Sequence, residues 1–226
     1  MNTASKKLQN SANNLANIQT PGFKSSRVDT TSLQSGGVVA TSTSRSTAQG
    51  PVMTTSNSLD LSINGSGFFR VALPNGGEGF TRSGSFKTAG DGRIVTSDGN
   101  PIAPEIAIPG NSAGISVGAG GDVSAVVDGN PVNVGQLQLA SFNNPAGLTP
   151  LGGSLFAESA ASGQAVVGNP GTGQFGSVLS GALEGSSVDI ASEMVDQIIA
   201  RVAFKANINV IKTANEMTGA ILNIKA

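Results

Sequence analysis

The two ends of this 226-residue chain carry helix-period apolar patterns, and the stretch between them alternates like strand and is rich in glycine. Near the start, Ala4, Leu8, Ala12 and Leu15 recur at spacings of four, four and three, which puts them on one helical stripe over residues 2–17. Asn10, Asn13, Asn14 and Asn17 flank that stripe. Asparagine is a weak helix former, so its place here is to satisfy polar groups at a packed interface. Pro21-Gly22 stops the helix. From Val188 the spacing three, four, three, four links Val188, Ala191, Val195, Ile198 and Val202. After a step of eight through Ala206, the seam continues with Val210, Ala214, Met217, Ile221 and Ile224. This is a heptad pattern with one stutter. A stretch of roughly 37 residues rising 1.5 Å each spans about 55 Å. A helix that long with an apolar seam needs a partner. Residues 2–17 can cover part of it, and other copies of the chain the rest.

The middle reads differently. Leu59-Asp-Leu-Ser-Ile63 alternates as a half-buried strand does. Asn64-Gly65, Asn75-Gly76, Asp91-Gly92, Asp98-Gly99 and Asp128-Gly129 are turn dipeptides that tolerate positive φ. Between them lie strand candidates at 68–73, 79–82, 93–96, 106–108, 115–117, 123–127 and 136–141. Residues 25–58 are rich in Ser and Thr and hold Gly36-Gly37 and Gly50-Pro51. The expected fold is therefore α+β. A discontinuous, coiled-coil-like helical domain is built from residues 1–24 with 180–226. Residues 25–58 form an extended linker, and residues 59–179 form an antiparallel all-β barrel or sandwich.

Composition excludes most chemistry. Charged residues are 12% and the formal net charge is −1, so no general attraction to nucleic acid arises. Nine Phe are the sole aromatics, too few for a base-stacking surface. His and Cys are absent, which removes the usual zinc and copper sites and any Ser-His or Cys-His nucleophile. No Ser-x-x-Lys opens a helix, and the Asp-Gly pairs are too scattered for an EF-hand. Gly171-Thr-Gly-Gln-Phe-Gly176 matches G-x-G-x-x-G, but Gly168-Asn-Pro170 breaks the strand before it and Ser180-Gly181 breaks any helix after it, so a surface loop is expected. No enzyme and no cofactor are expected. No apolar run approaches 18 residues, so nothing is expected to span a bilayer. Residues 1–25 lack an apolar h-region, so no cleaved signal peptide is expected.

Several segments carry a resemblance. Ser11-Ala-Asn-Asn-Leu-Ala-Asn17 followed by Ile18-Gln-Thr-Pro-Gly-Phe-Lys24 resembles the N-terminal signature of the bacterial flagellar rod and hook family. Leu59–Phe69, Phe80-Thr-Arg-Ser-Gly-Ser-Phe-Lys87 and Asp91–Gly99 are similar to that family's β-domain entry. Gly135–Ala140, Asn144–Leu148 and Ala161-Ser-Gly163 are most like the subunits of the distal rod. Leu183-Glu-Gly-Ser-Ser-Val-Asp189 and the heptad helix complete the likeness, which covers nearly the whole chain. Two departures stand out: fewer residues precede Leu8 than is usual, and the segment after Lys24 is Ser/Thr-rich.

The resemblance implies a structural subunit of the flagellar rod that self-assembles helically into a torque-transmitting shaft. It implies a homo-oligomeric helical tube, adjoining rod and hook subunits, surrounding basal-body ring proteins and the flagellar export apparatus as partners. It places the chain in the periplasmic rod. Leu8, Ala12, Leu15, Val195, Ile198, Val202, Val210, Met217 and Ile221 are the expected assembly residues, with Asn14 and Asn17 making polar contacts at the helix end. A hook or proximal-rod subunit is the alternative of the same class. An adhesin-like β domain with a helical oligomerisation tail is the alternative of another class.

Overall fold

The computed structural model describes residues 2–34 and 36–224, with side chains in the last helix described to residue 220; Ile221 of the expected seam lies outside the described side chains. The chain divides into two compact units, one of residues 1–18, 25–46 and 188–226 and one of residues 19–24 and 47–187.

The first unit holds helix α1 (Asn2–Ala16), strands β1 (Ser26–Ser32) and β2 (Val38–Arg45), and helix α2 (Ile190–Ile224). β1 and β2 form an antiparallel hairpin running from the Ser26↔Arg45 pair to Ser32↔Val38, with a bulge between Asp29 and Thr30. The expected linker at 25–58 is thus corrected over most of its first half. Val28, Thr30, Thr31, Val38, Val39, Thr41 and Thr43 supply the β-branched side chains that favour strand. A count of Ser and Thr alone reads the same residues as flexible.

The second unit is built from short strands. In chain order they are β3 (Val52–Thr54), β4 (Leu61–Asn64), β5 (Phe68–Ala72), β6 (Glu78–Thr81), β7 (Phe86–Thr88), β8 (Ile94–Thr96), β9 (Ser112–Val117), β10 (Asp122–Val127), β11 (Asn130–Gln136) and β12 (Leu139–Ser141). After these come β13 (Thr149–Gly152), β14 (Leu155–Ala157), β15 (Val166–Gly168), β16 (Ser177–Ser180) and β17 (Ala182–Glu184). The largest sheet has the order β13-β14-β6-β5-β12-β15, and a second runs β11-β10-β9. β4 pairs with β16, β3 with β17 and β7 with β8, every pair antiparallel. The sheets are open, and no closed barrel forms among the described residues. Residues 106–108 make an isolated bridge to Arg93 rather than a strand. Residues 180–184, expected to belong with the helices, pair instead inside this unit.

Two apolar clusters fill the second unit. The larger gathers Leu61, Ile63, Phe69, Ile94, Ile102, Ile106, Val123, Leu137, Leu139 and Val178 among others. The smaller gathers Phe80, Phe142, Leu148 and Phe156, with Phe68 and Phe142 edge to face at 5.8 Å and Phe80 and Phe142 at 4.8 Å. Edge-on packing aligns the positive rim of one ring with the negative face of the next. The β10–β11 turn is Asp128-Gly129, with φ of 52° and 82°. Two successive positive φ values match the twist of the flanking strands, and a side chain at the second position is strained there.

A Gly129→Val substitution meets no neighbouring atom, so its cost is backbone strain alone, about 1–2 kcal/mol. Gly90→Ala has equally open space without a positive φ and should change stability by less than about 0.5 kcal/mol. Urea unfolding of both variants checks this.

Candidate assembly site

In the first unit, the directed contacts between α1 and α2 are made by small and polar side chains, and Phe204 and Ile208 lie on the same half-buried face of α2. Ala4, Ser11 and Asn14 are the buried residues of α1. On α2, Ala200 is buried and Glu193, Gln197, Phe204 and Ile208 are half-buried. These positions recur every three to four residues and so share one face. Ser11 Oγ donates to the Glu193 carbonyl at 3.0 Å. Asn14 Nδ2 donates to Glu193 Oε1 at 2.6 Å and to the Ser26 carbonyl at 2.7 Å, and its Oδ1 accepts from Ser26 N at 3.0 Å. Asn10 Nδ2 reaches the same carbonyl at 2.6 Å. The last turns of α1 are thereby pinned to the first turns of α2 and to the root of the hairpin. Asn17 does something else: its Nδ2 donates to the Asn13 carbonyl within its own helix end.

The apolar seam of α2 lies on another face. Val195, Ile198, Val202, Val210 and Met217 are all more than half exposed, with Ile198 at 57% and Val210 at 68%. Leu8 and Ala12 are also exposed, and Leu15 is half-buried. From Asn209 to Ala220 every residue of α2 is exposed, so over this stretch the helix has no cover on any side. Beside the helix pair runs a groove of about 520 Å³, lined by Lys7, Arg27, Arg45, Glu193, Asp196 and Ile199 among others. Its mixed charge suits a protein surface better than a small ligand.

The second unit holds a feature that sequence reasoning missed. Lys24, Arg82 and Glu184 are all buried, the first and last at 6% and 1% exposure. Lys24 Nζ donates to Glu184 Oε1 at 2.6 Å and to the Ala48 carbonyl at the same distance. Gly50 N also donates to Oε1, at 3.0 Å. Arg82 Nε stands 3.1 Å from Glu184 Oε2, a contact of charge that lacks the alignment of a hydrogen bond. The other Arg82 nitrogens donate to the Gly67 and Gly65 carbonyls. Burial pushes the Lys24 ammonium below its ordinary pKa, while the hydrogen bond and charge of Glu184 pull it back up. Burial likewise lowers Arg82, against the same carboxylate. Backbone bonds join the same segments: Gly22 N to the Glu184 carbonyl at 2.8 Å and Ser187 N to the Phe23 carbonyl at 3.0 Å. Gly22 has φ of 68°, and a Cβ there would lie 2.4 Å from Ser83 N, so only glycine fits.

The tempting glycine motif is a turn. Residues 171–176 connect β15 to β16, a strand rather than a helix. Gly176 lies so close to Asn64 that a Cβ would meet its carbonyl at 2.4 Å, and Gly176 N donates to the Ser66 carbonyl. Close backbone approach accounts for that glycine. Among the described residues no group of three or more potential metal ligands stands together, and no helix is long and apolar enough to cross a membrane.

Comparison with known proteins finds two matching families. The one described as flagellar hook protein FlgE/F/G D1 domain matches residues 62–125, and the one described as flagellar basal body rod FlgEFG protein C-terminal matches residues 179–224. A flagellar basal-body rod protein FlgG of Buchnera aphidicola subsp. Schizaphis graminum is 39% identical over 91% of this chain and 89% of its own length. That of Caulobacter vibrioides is 39% identical over 95% of this chain and 92% of its own. The flagellar hook protein FlgE of Salmonella typhimurium is 38% identical over 41% of this chain and 23% of its own.

The two asparagines should separate on mutation. Asn14→Ala strands the half-buried Ser26 N–H and the half-buried Glu193 carboxylate and should destabilise the first unit by about 1–3 kcal/mol. Asn17→Ala, whose bond to the Asn13 carbonyl stays within its own helix end, should cost less than Asn14→Ala does. Helical circular dichroism followed through urea unfolding tests the contrast.

Proposed function

This chain belongs to the flagellar hook and basal-body rod family, and we propose how its helices build the rod. It is a structural subunit of the bacterial flagellar rod, a part of the basal body that serves motility. The observation that carries the assembly reading is the two-faced α2 helix. The face that holds Glu193 and Ala200 is met by α1, while Val195, Ile198, Val202, Val210 and Met217 stand exposed on another. Burying a large apolar side chain is worth about 1.5–3 kcal/mol. Five such residues on one helix in water make a surface that assembly rewards. A second copy of the same chain is the occupant.

In this reading copies stack helically into a tube that transmits torque, with Leu8, Ala12, Leu15 and Ile221 joining the same apolar contacts. The distal rod is the position we favour. Relatives named as FlgG align along nearly their whole length, whereas the hook protein aligns over less than half of this chain. The neighbours are then further rod subunits, the hook above and the surrounding ring proteins. The location is the periplasmic part of the basal body, reached through the flagellar export apparatus. The protein is a mechanical part and not an enzyme.

Ile198→Asp puts a charge in the proposed seam but away from the α1–α2 clasp. The variant should fold as the parent does and fail to enter the rod, leaving cells non-motile. Mass spectrometry of purified basal bodies, with rod and hook separated, reads this directly. The parent chain should appear in the rod fraction and the variant in neither. Normal incorporation of the variant sinks the seam assignment, and the parent in the hook fraction moves the role from shaft to joint.

A further inference from the structure

We propose that Glu184 is a latch that makes docking of the N-terminal segment 19–24 conditional on arrival of the C-terminal segment. Two cations and one carboxylate are buried together: Lys24, Arg82 and Glu184. Remove the carboxylate and two positive charges face each other out of water, an arrangement that shifts strongly towards opening. Glu184 is 160 positions from Lys24 and 102 from Arg82. The stabilising charge therefore comes from the far end of the chain.

Other contacts of the second unit obey the same order. Gly22 and Phe23 bond to Glu184 and Ser187 through the backbone. β3 and β4 find their partners in β17 and β16. Gly50 N uses Glu184 Oε1 as acceptor, and Gly185 N donates to the Pro51 carbonyl at 2.7 Å. Strands β5, β6 and β12 to β14, by contrast, pair with one another without residues 19–24 or 177–187. The second unit thus has a part that closes on its own and a part that waits for Glu184. A chain whose C-terminal segment has yet to arrive keeps its N-terminal segment undocked.

Hydrogen exchange on the full-length chain tests the latch. Glu184→Gln keeps the shape and the Oε1 acceptor, removes the charge and puts an amide NH2 in place of the Oε2 that faces Arg82. Exchange at Gly22, Gly50, Gly185 and Ser187 should accelerate at least about 100-fold, while Val71 and Ala125 change little. Lys24→Met leaves a balanced Arg82–Glu184 pair, so its effect should be at least about tenfold smaller. Equal effects of the two variants reduce the cluster to ordinary hydrogen bonding, and an unchanged Glu184→Gln removes the latch altogether. If Glu184→Gln unfolds the whole chain, the unmodified protein decides. The latch requires Gly22, Gly185 and Ser187 to share one opening event below the global one in rising urea; exchange at three unrelated rates, or only on global unfolding, overturns it.

Discussion

Helix α2 is about 52 Å long and helix α1 about 22 Å, from 35 and 15 residues. One cannot cover the other, and the rest of the first unit depends on that mismatch. Where the two meet, the contacts are Ser11, Asn14, Ala200 and Glu193, side chains that allow close approach and set register through directed bonds. Where they do not meet, α2 exposes valine, isoleucine and methionine. A buried apolar face would serve a lone molecule better. A polar clasp within the subunit and an apolar surface left free are what a repeating assembly requires, because the large apolar term is then gained between copies and not spent inside one.

The second unit solves a different problem. Its strands average only a few residues, and its sheets are open, so each sheet alone is weakly held. Two aromatic and aliphatic clusters join them. The segments that lead into and out of the helices are fixed by Lys24, Arg82 and Glu184 together with backbone bonds at Gly22, Phe23 and Ser187. A buried ion cluster adds little net stability compared with well-packed hydrocarbon. What it contributes is selectivity, since Glu184 is the carboxylate that both buried cations reach.

Much of this was legible in residue patterns. The heptad spacing of 188–224 specifies a helix, and all five predicted turn dipeptides carry a glycine at positive φ. Which face of α2 meets α1 was not legible, because a count of apolar spacing finds the seam and passes over serine, asparagine and glutamate. Asn14 could be singled out from sequence, but its partner Glu193 could not. The β1–β2 hairpin hid behind serine and threonine, whose strand preference depends on a partner strand. The ion cluster hid because its members lie 58 and 102 positions apart. Their one shared signal is that each sits in a segment resembling the rod family, and spacing alone does not join those segments.

The central claim is that the α2 seam is buried between copies. The chain has no cysteine, so a single Ile198→Cys reports on one position alone. Its reaction with a maleimide should be fast in the isolated subunit and at least about tenfold slower in purified rods, with a cysteine at exposed Asp128 as the reference that stays reactive in both. Equal labelling of position 198 in subunit and rod would contradict the account.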